Sequence, residues 1–176
     1  MNATEYMKHW EKAEIWTHYK WPKHQKRFGQ IASMCEGKDC ADVGCCFGHS
    51  THLLGQLYPA NWTGIEFDEK AIEKARELFP QYNFSYIYYQ FLGMPSYPRF
   101  DTVVCSEVIE HIEDDKSFVK WLMAFKRIKL ILTTPNRHVD DPGHLRIYNP
   151  DMIEDLLGDF SYIIKSIGGY YFMEVR

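Results

Sequence analysis

Between Ala41 and Ser50 the chain reads Ala-Asp-Val-Gly-Cys-Cys-Phe-Gly-His-Ser, and no other stretch restricts its fold as much. A short apolar run from Cys40 to Val43 ends in Gly-x-x-x-Gly and passes directly into a helical pattern. That order predicts a strand, a tight glycine turn and a helix N-terminus, the arrangement that cradles a nucleotide-like ligand. Glycine suits the turn because a side chain there would hold the ligand off the backbone. Eighteen residues after Gly48, the next apolar run, Trp62-Thr63-Gly64-Ile65-Glu66-Phe67, ends at Glu66. A carboxylate at that point can accept hydrogen bonds from both hydroxyls of a ribose. The expected ligand is an adenosine derivative.

What the turn lacks narrows the ligand. Dinucleotide sites place a second glycine where a pyrophosphate lies on the backbone, and here Cys45, Cys46 and Phe47 fill the space between Gly44 and Gly48. No Gly-Lys-Ser/Thr is present to hold a triphosphate. Asp42, just before the turn, would repel phosphate but suits a ligand with an amine and a sulfonium. S-adenosylmethionine has both.

Four blocks then fall in the order of a known family: Asp42-Val43-Gly44-Cys45-Cys46-Phe47-Gly48; Gly64-Ile65-Glu66-Phe67-Asp68; Phe100-Asp101-Thr102-Val103-Val104-Cys105-Ser106-Glu107-Val108-Ile109-Glu110-His111; and Leu132-Thr133-Thr134-Pro135-Asn136. In these, from about Asp39 to about Leu157, the chain resembles the class I S-adenosylmethionine-dependent methyltransferases. The resemblance implies an enzyme with a Rossmann-like α/β fold. It assigns the cofactor to Asp42, Gly44, Cys45, Gly48, Glu66, Phe67 and Ser106. Where the family usually carries an Asp near the adenine amino group, this chain has Gln90, whose amide can still hydrogen-bond the base.

The rest of the chain agrees. Strand-like runs at Cys40–Cys45, Trp62–Phe67, Asn83–Gln90, Asp101–Cys105 and Ile128–Thr133 alternate with helical patterns at His49–Tyr58, Glu69–Phe79 and Ser117–Lys126. Such alternation predicts a mostly parallel sheet, seven-stranded by the resemblance, with helices on both faces. Asn149-Pro150 opens a further helix to Leu157. Tyr162–Ile167 and Tyr170–Val175 around Gly168-Gly169 predict an antiparallel C-terminal hairpin. With 176 residues, 45% of them hydrophobic, one domain with one core is expected over 1–176. It divides into an N-terminal helical arm or lid over 1–30 and a cofactor-binding core over 39–176. No apolar run approaches the about 20 residues that cross a membrane, and the start lacks signal-peptide order. The five cysteines contain no Cys-x-x-Cys, which argues against a disulfide framework or zinc ribbon. A reduced, cytoplasmic protein is the expectation, and its oligomeric state is left open.

Ligands of such sheets sit beyond the carboxyl ends of the strands. There Glu107, Glu110 and His111 stand at i, i+3 and i+4, so one helical turn would align them. His144 follows in the loop after the next strand. Two carboxylates and two imidazoles suit a divalent ion such as Mg, Mn or Fe. The pattern is similar to the metal-dependent small-RNA 3′-terminal 2′-O-methyltransferases, whose metal ligands Glu107, Glu110, His111 and His144 would match. It is also similar to the O-methyltransferases of ubiquinone biosynthesis, in which Glu-His is common without an established metal. Against both stands a plainer alternative: the glutamates are solvated or cap backbone, and His111 only lines the pocket. His111 and His144 are the expected catalytic bases without a metal, and all four residues act together with one.

Two questions concern partners. From Tyr6 to Phe28, six basic residues (Lys8, Lys12, Lys20, Lys23, Lys26, Arg27) face two acidic ones, with Trp10, Trp16, Tyr19, Trp21 and Phe28 among them. Such interleaving can bind single-stranded nucleic acid or form an amphipathic helix over the cofactor pocket. A formal net charge of −4 argues against a nucleic-acid footprint across the whole domain. A small-molecule oxygen acceptor is the expectation, with RNA as the alternative and a non-catalytic scaffold subunit as a reading of another class.

Overall fold

A computed structural model of the chain describes residues 19–87 and 98–176. Gln90 and the arm up to His18 lie outside the described residues. The elements are α1 (Pro22–Met34), β1 (Asp39–Val43), α2 (His49–Leu57), β2 (Asn61–Glu66), α3 (Glu69–Leu78), β3 (Asn83–Tyr86), β4 (Phe100–Ser106), a 3-10 turn (Ile109–His111), α4 (Asp115–Phe125), β5 (Lys126–Pro135), α5 (Pro150–Leu157), β6 (Tyr162–Ile167) and β7 (Tyr170–Val175). The sheet has seven strands in the order β3-β2-β1-β4-β5-β7-β6. The first five are mutually parallel, and β7 inserts antiparallel between β5 and β6. The strand order reverses at β1 and β4, which opens the crevice at their carboxyl ends.

The central strands are apolar on both faces because helices cover both. Val103, Cys105, Leu130 and Leu132 pack with Phe118, Leu122, Ile153 and Leu157 of α4 and α5. The intervening Val104 and Ile131 turn to the opposite face, against Phe28 and Ile31 of α1 and Leu53 and Leu54 of α2. Local capping sets the helix starts. Asp68 accepts from the Ala71 N–H at 3.0 Å, Asp114 from Ser117 at 3.1 Å and Asn149 from Met152 at 2.9 Å, each satisfying a donor the first turn leaves open.

The arm differs from a separate lid in its second half. α1 continues to Met34, and Phe28 and Ile31 are wholly buried against the sheet. From Pro22 onward one face of this segment is core, with Arg27, Phe28, Ile31 and Ala32 buried. Lys23 and Lys26 stay on its exposed side, and Lys20 and Trp21 just before it are exposed as well.

Candidate functional site

The glycine turn owes its shape to backbone conformation as well as to space. Gly44 and Gly48 both have φ of +81°, and Cys46 between them has +49°. A Cβ on Gly44 would lie 2.3 Å from Val108 Cγ2, and one on Gly48 would lie 2.7 Å from Phe84 Cζ. The glycines are thus required by left-handed backbone and by packing, reasons beyond the ligand approach expected from the sequence. Cys45 is buried among Ile72, Ala75 and Phe84, so its thiol is a core group and only its backbone can face a ligand.

Asp42 shares the α2-side parity of Cys40 along β1, and α2 begins just there. Its Oδ2 accepts from Ser50 Oγ at 2.6 Å and from Thr51 Oγ1 at 2.7 Å. Burial raises its pKa to about 6, against those two hydrogen bonds. Asp42 therefore braces the turn from inside. Because folding raises the pKa from 3.8 to about 6, the folded chain holds the extra proton across that window, and stability falls as pH rises through it. Asp42→Asn keeps one oxygen for both hydroxyls and removes the buried charge. We expect it to raise stability at pH 7 by up to about 3 kcal/mol and to flatten the pH 4–6 dependence in denaturant titrations. An Asp42→Asn variant less stable than wild type at pH 7 would contradict this.

At the end of β2, Glu66 Oε2 accepts from the Cys46 N–H at 2.8 Å and Oε1 from the Phe67 N–H at 2.5 Å. Desolvation raises its pKa against these bonds. A carboxylate offers about four acceptor positions, so capacity remains for two hydroxyls. Phe67 stands edge-on to Phe118 at 5.9 Å between centroids. Ser106 Oγ is hydrogen-bonded to Thr133 Oγ1 at 2.8 Å.

The Glu/His group is not one helical turn. Glu107 takes φ of +60°, its N–H donates to the Thr133 carbonyl at 3.0 Å, and only Ile109–His111 form a short 3-10 turn. Glu107 is thereby diverted to Arg27 of α1, at 3.1 Å, and to Thr133 Oγ1, at 3.0 Å. Among the described residues, the cluster able to hold a metal is Glu110, His111 and His144, whose candidate ligand atoms all lie within 4.8 Å of one another. The fourfold set expected from the sequence is thus a threefold one here.

Within this trio the rings of His111 and His144 meet edge to face at 4.6 Å. His144 Nε2 lies 3.9 Å from Glu110 Oε1 and 4.0 Å from Asp141 Oδ2. Glu110 is fully buried: its Oε2 accepts from Thr134 Oγ1 at 3.2 Å, while Oε1 has no hydrogen-bond partner. Burial, then the nearby Glu107, push the Glu110 carboxyl well up. Burial lowers both His111 and His144, favouring neutral imidazoles.

Sequence reasoning placed Arg27 only in a basic arm. The signal was its position beside Phe28 and Ile31 on the buried side of an amphipathic helix, where an arginine needs a partner. Its guanidinium lies about 5 Å from the Phe28 and Tyr170 rings (5.1 and 5.0 Å), and its Nε has no partner. The Tyr19 ring stacks on His49, the first residue of α2 after the glycine turn, at 6.0 Å between centroids.

Residues 41–124 match the family model described as a methyltransferase domain. The mitochondrial ubiquinone biosynthesis O-methyltransferase of Schizosaccharomyces pombe is 33% identical over 110 residues, 57% of this chain and 39% of that protein. The chain spans about half or less of the length of the curated relatives it matches. Among solved structures, magnesium protoporphyrin IX methyltransferase from Synechocystis with bound SAH superposes with a TM-score of 0.67 at 21% identity, over 88% of this chain and 84% of that one. The methyltransferase domain of a bacterial Hen1 gives 0.72 at 18% identity, over 88% and 99%. With its strand order, its glycine turn followed by Glu66 and its matched methyltransferase domain, the chain is similar to the S-adenosylmethionine-dependent methyltransferases.

Proposed function

We propose that this protein transfers a methyl group from S-adenosylmethionine to an oxygen of a small, largely apolar acceptor. The observation that carries the reading is the Glu110/His111/His144 cluster at the same sheet edge as the glycine turn and Glu66. Glu66 has acceptor capacity for the ribose. Arg27, a buried cation with an unsatisfied Nε, fits the carboxylate of the methionine end. The sulfonium supplies an electrophilic methyl, so the protein's share of the work is to align the acceptor for in-line attack and to receive its proton. His144 Nε2 is the proton acceptor this geometry favours, since burial keeps the ring neutral. Leu145, Ile147 and Val139, exposed on the same loop, offer the acceptor an apolar wall. The curated relative that acts in ubiquinone biosynthesis, named an O-methyltransferase, is consistent with such an acceptor.

Glu110, His111 and His144 also fit a divalent ion. The donor set is two imidazoles and a carboxylate, and the partnerless Oε1 of a buried glutamate is the atom a cation would satisfy. When bound, such an ion would lower the pKa of the acceptor hydroxyl. The test is transfer of labelled methyl from S-adenosylmethionine to a metabolite extract and, separately, to short RNAs. His144→Gln and Glu110→Gln should each lower turnover about a hundredfold or more. Chelation should abolish turnover if the ion takes part, with restoration by Mg, Mn or Fe. Exposed Lys20, Lys23 and Lys26, with the Lys23 ammonium 5.2 Å from the exposed Trp21 ring, favour RNA as the second reading. Label appearing only in RNA would establish it. Cofactor binding with no transfer to any acceptor would favour the scaffold.

A further inference from the structure

The loop that carries His144 is stitched to the turn that carries Glu110 and His111 by a group of side chains with no role in the chemistry above. From His144 to Tyr148 the loop alternates as a strand does. Leu145 and Ile147 point out at 57% and 42% exposure, while Tyr148 is 2% exposed. His144 and Arg146 are the inward neighbours, with side chains 12% and 20% exposed. Arg146 is forked between two partners: one guanidinium nitrogen pairs with Asp115, the first residue of α4, and the other donates to the Glu113 carbonyl at 2.9 Å. The Tyr148 hydroxyl donates to the same Asp115 oxygen at 2.7 Å. On the other side of Arg146, the Leu145 N–H donates to the Glu110 carbonyl at 2.9 Å. The loop is thus pinned immediately after His144 and again at Arg146 and Tyr148, to residues flanking Glu110 and His111.

We propose that Asp115, Arg146 and Tyr148 are positioning residues that hold His144 against Glu110 and His111, an inference that rests on the functional reading of that trio. A forked arginine fixes orientation as well as distance, which a lysine in its place cannot do. The brace lies outside the cofactor turn, so its loss should release His144 and leave S-adenosylmethionine binding intact.

The test uses the full chain and variants Arg146→Gln and Tyr148→Phe. Carbethoxylation by diethyl pyrocarbonate is followed histidine by histidine by peptide mass spectrometry, alongside calorimetric binding of S-adenosylmethionine. His144 modification should accelerate about tenfold or more in Arg146→Gln, because losing charged hydrogen bonds shifts a local opening by at least that factor. The exposed His138 of the same loop and the distant His49 and His52 should keep wild-type rates. Tyr148→Phe, which removes one hydroxyl, should show a smaller rise, and the contact between the His111 and His144 rings seen by nuclear Overhauser effects should weaken in both. Unchanged His144 rates in both variants would overturn the brace. So would an equal rise at all histidines, which would mean a general folding role. These rates need neither cofactor nor acceptor, so they report on the brace even if the wild-type chain fails to bind S-adenosylmethionine, a result that would sink the functional reading instead.

Discussion

Glu66→Ala should lower affinity for S-adenosylmethionine about a hundredfold or more, since hydrogen bonds to a charged acceptor contribute about 1.5–3 kcal/mol each. Two effects add. The ribose hydroxyls lose their acceptor, and the N–H groups of Cys46 and Phe67, now held at 2.8 and 2.5 Å, lose theirs. Cys46 sits in left-handed backbone, a conformation that costs about 1–3 kcal/mol and persists only where its surroundings hold it. The Glu66 carboxylate is part of that hold, so the melting temperature should fall along with affinity. Glu66→Gln should not rescue either property fully. An amide has a single acceptor oxygen, and its NH2 would face one of the two N–H donors. Calorimetry and thermal melts on the three proteins check both points. Equal affinity for the alanine variant and wild type would remove Glu66 from the cofactor site. An unchanged melting temperature with lost affinity would confine it to the ligand.

The glycine turn and the strand that leads into it were readable in the sequence because their signals are local. An apolar run has to enter the sheet, and two glycines separated by three residues mark a tight turn, whereas their left-handed backbone is seen only in the structure. The hairpin at Tyr162–Ile167 and Tyr170–Val175 was readable for the same reason, and both strands fall where the sequence puts them. Asp42 was legible as important but not in its orientation. Its inward turn follows from the two-residue period of β1, which aligns it with Cys40 toward α2 and the hydroxyls of Ser50 and Thr51. Glu107 was misread for a nonlocal reason. Spacing of i, i+3 and i+4 brings side chains together only if the backbone is helical, and here the chain leaves β4 through a left-handed residue. The partner that receives the Glu107 carboxylate lies 80 residues earlier, on a helix whose buried face carries Arg27. Pairings across such separations leave no mark in residue spacing.

That pairing leads to the second large expected effect. Glu107→Ala would leave Arg27 charged and almost wholly buried, with 6% of its side chain exposed. Removing one member of a buried ion pair costs about 3–5 kcal/mol, which for a chain of this size lowers the melting temperature by roughly 10 °C or more. Amide exchange should quicken most in α1, because the pair ties that helix to the end of β4. Arg27→Leu should be damaging too, through the unpaired Glu107, which burial already pushes toward its neutral form. The double variant Arg27→Leu/Glu107→Ala should be more stable than Glu107→Ala alone, since no buried charge is left without a partner and contacting residues do not add. Its cofactor affinity should stay low if Arg27 binds the methionine carboxylate. Adding Mg, Mn or Fe should not restore the stability of Glu107→Ala, because Glu107 is directed at the arm and not at Glu110 and the two histidines. A Glu107→Ala chain that melts like wild type but no longer responds to those ions would return Glu107 to the metal set and remove it from the clasp.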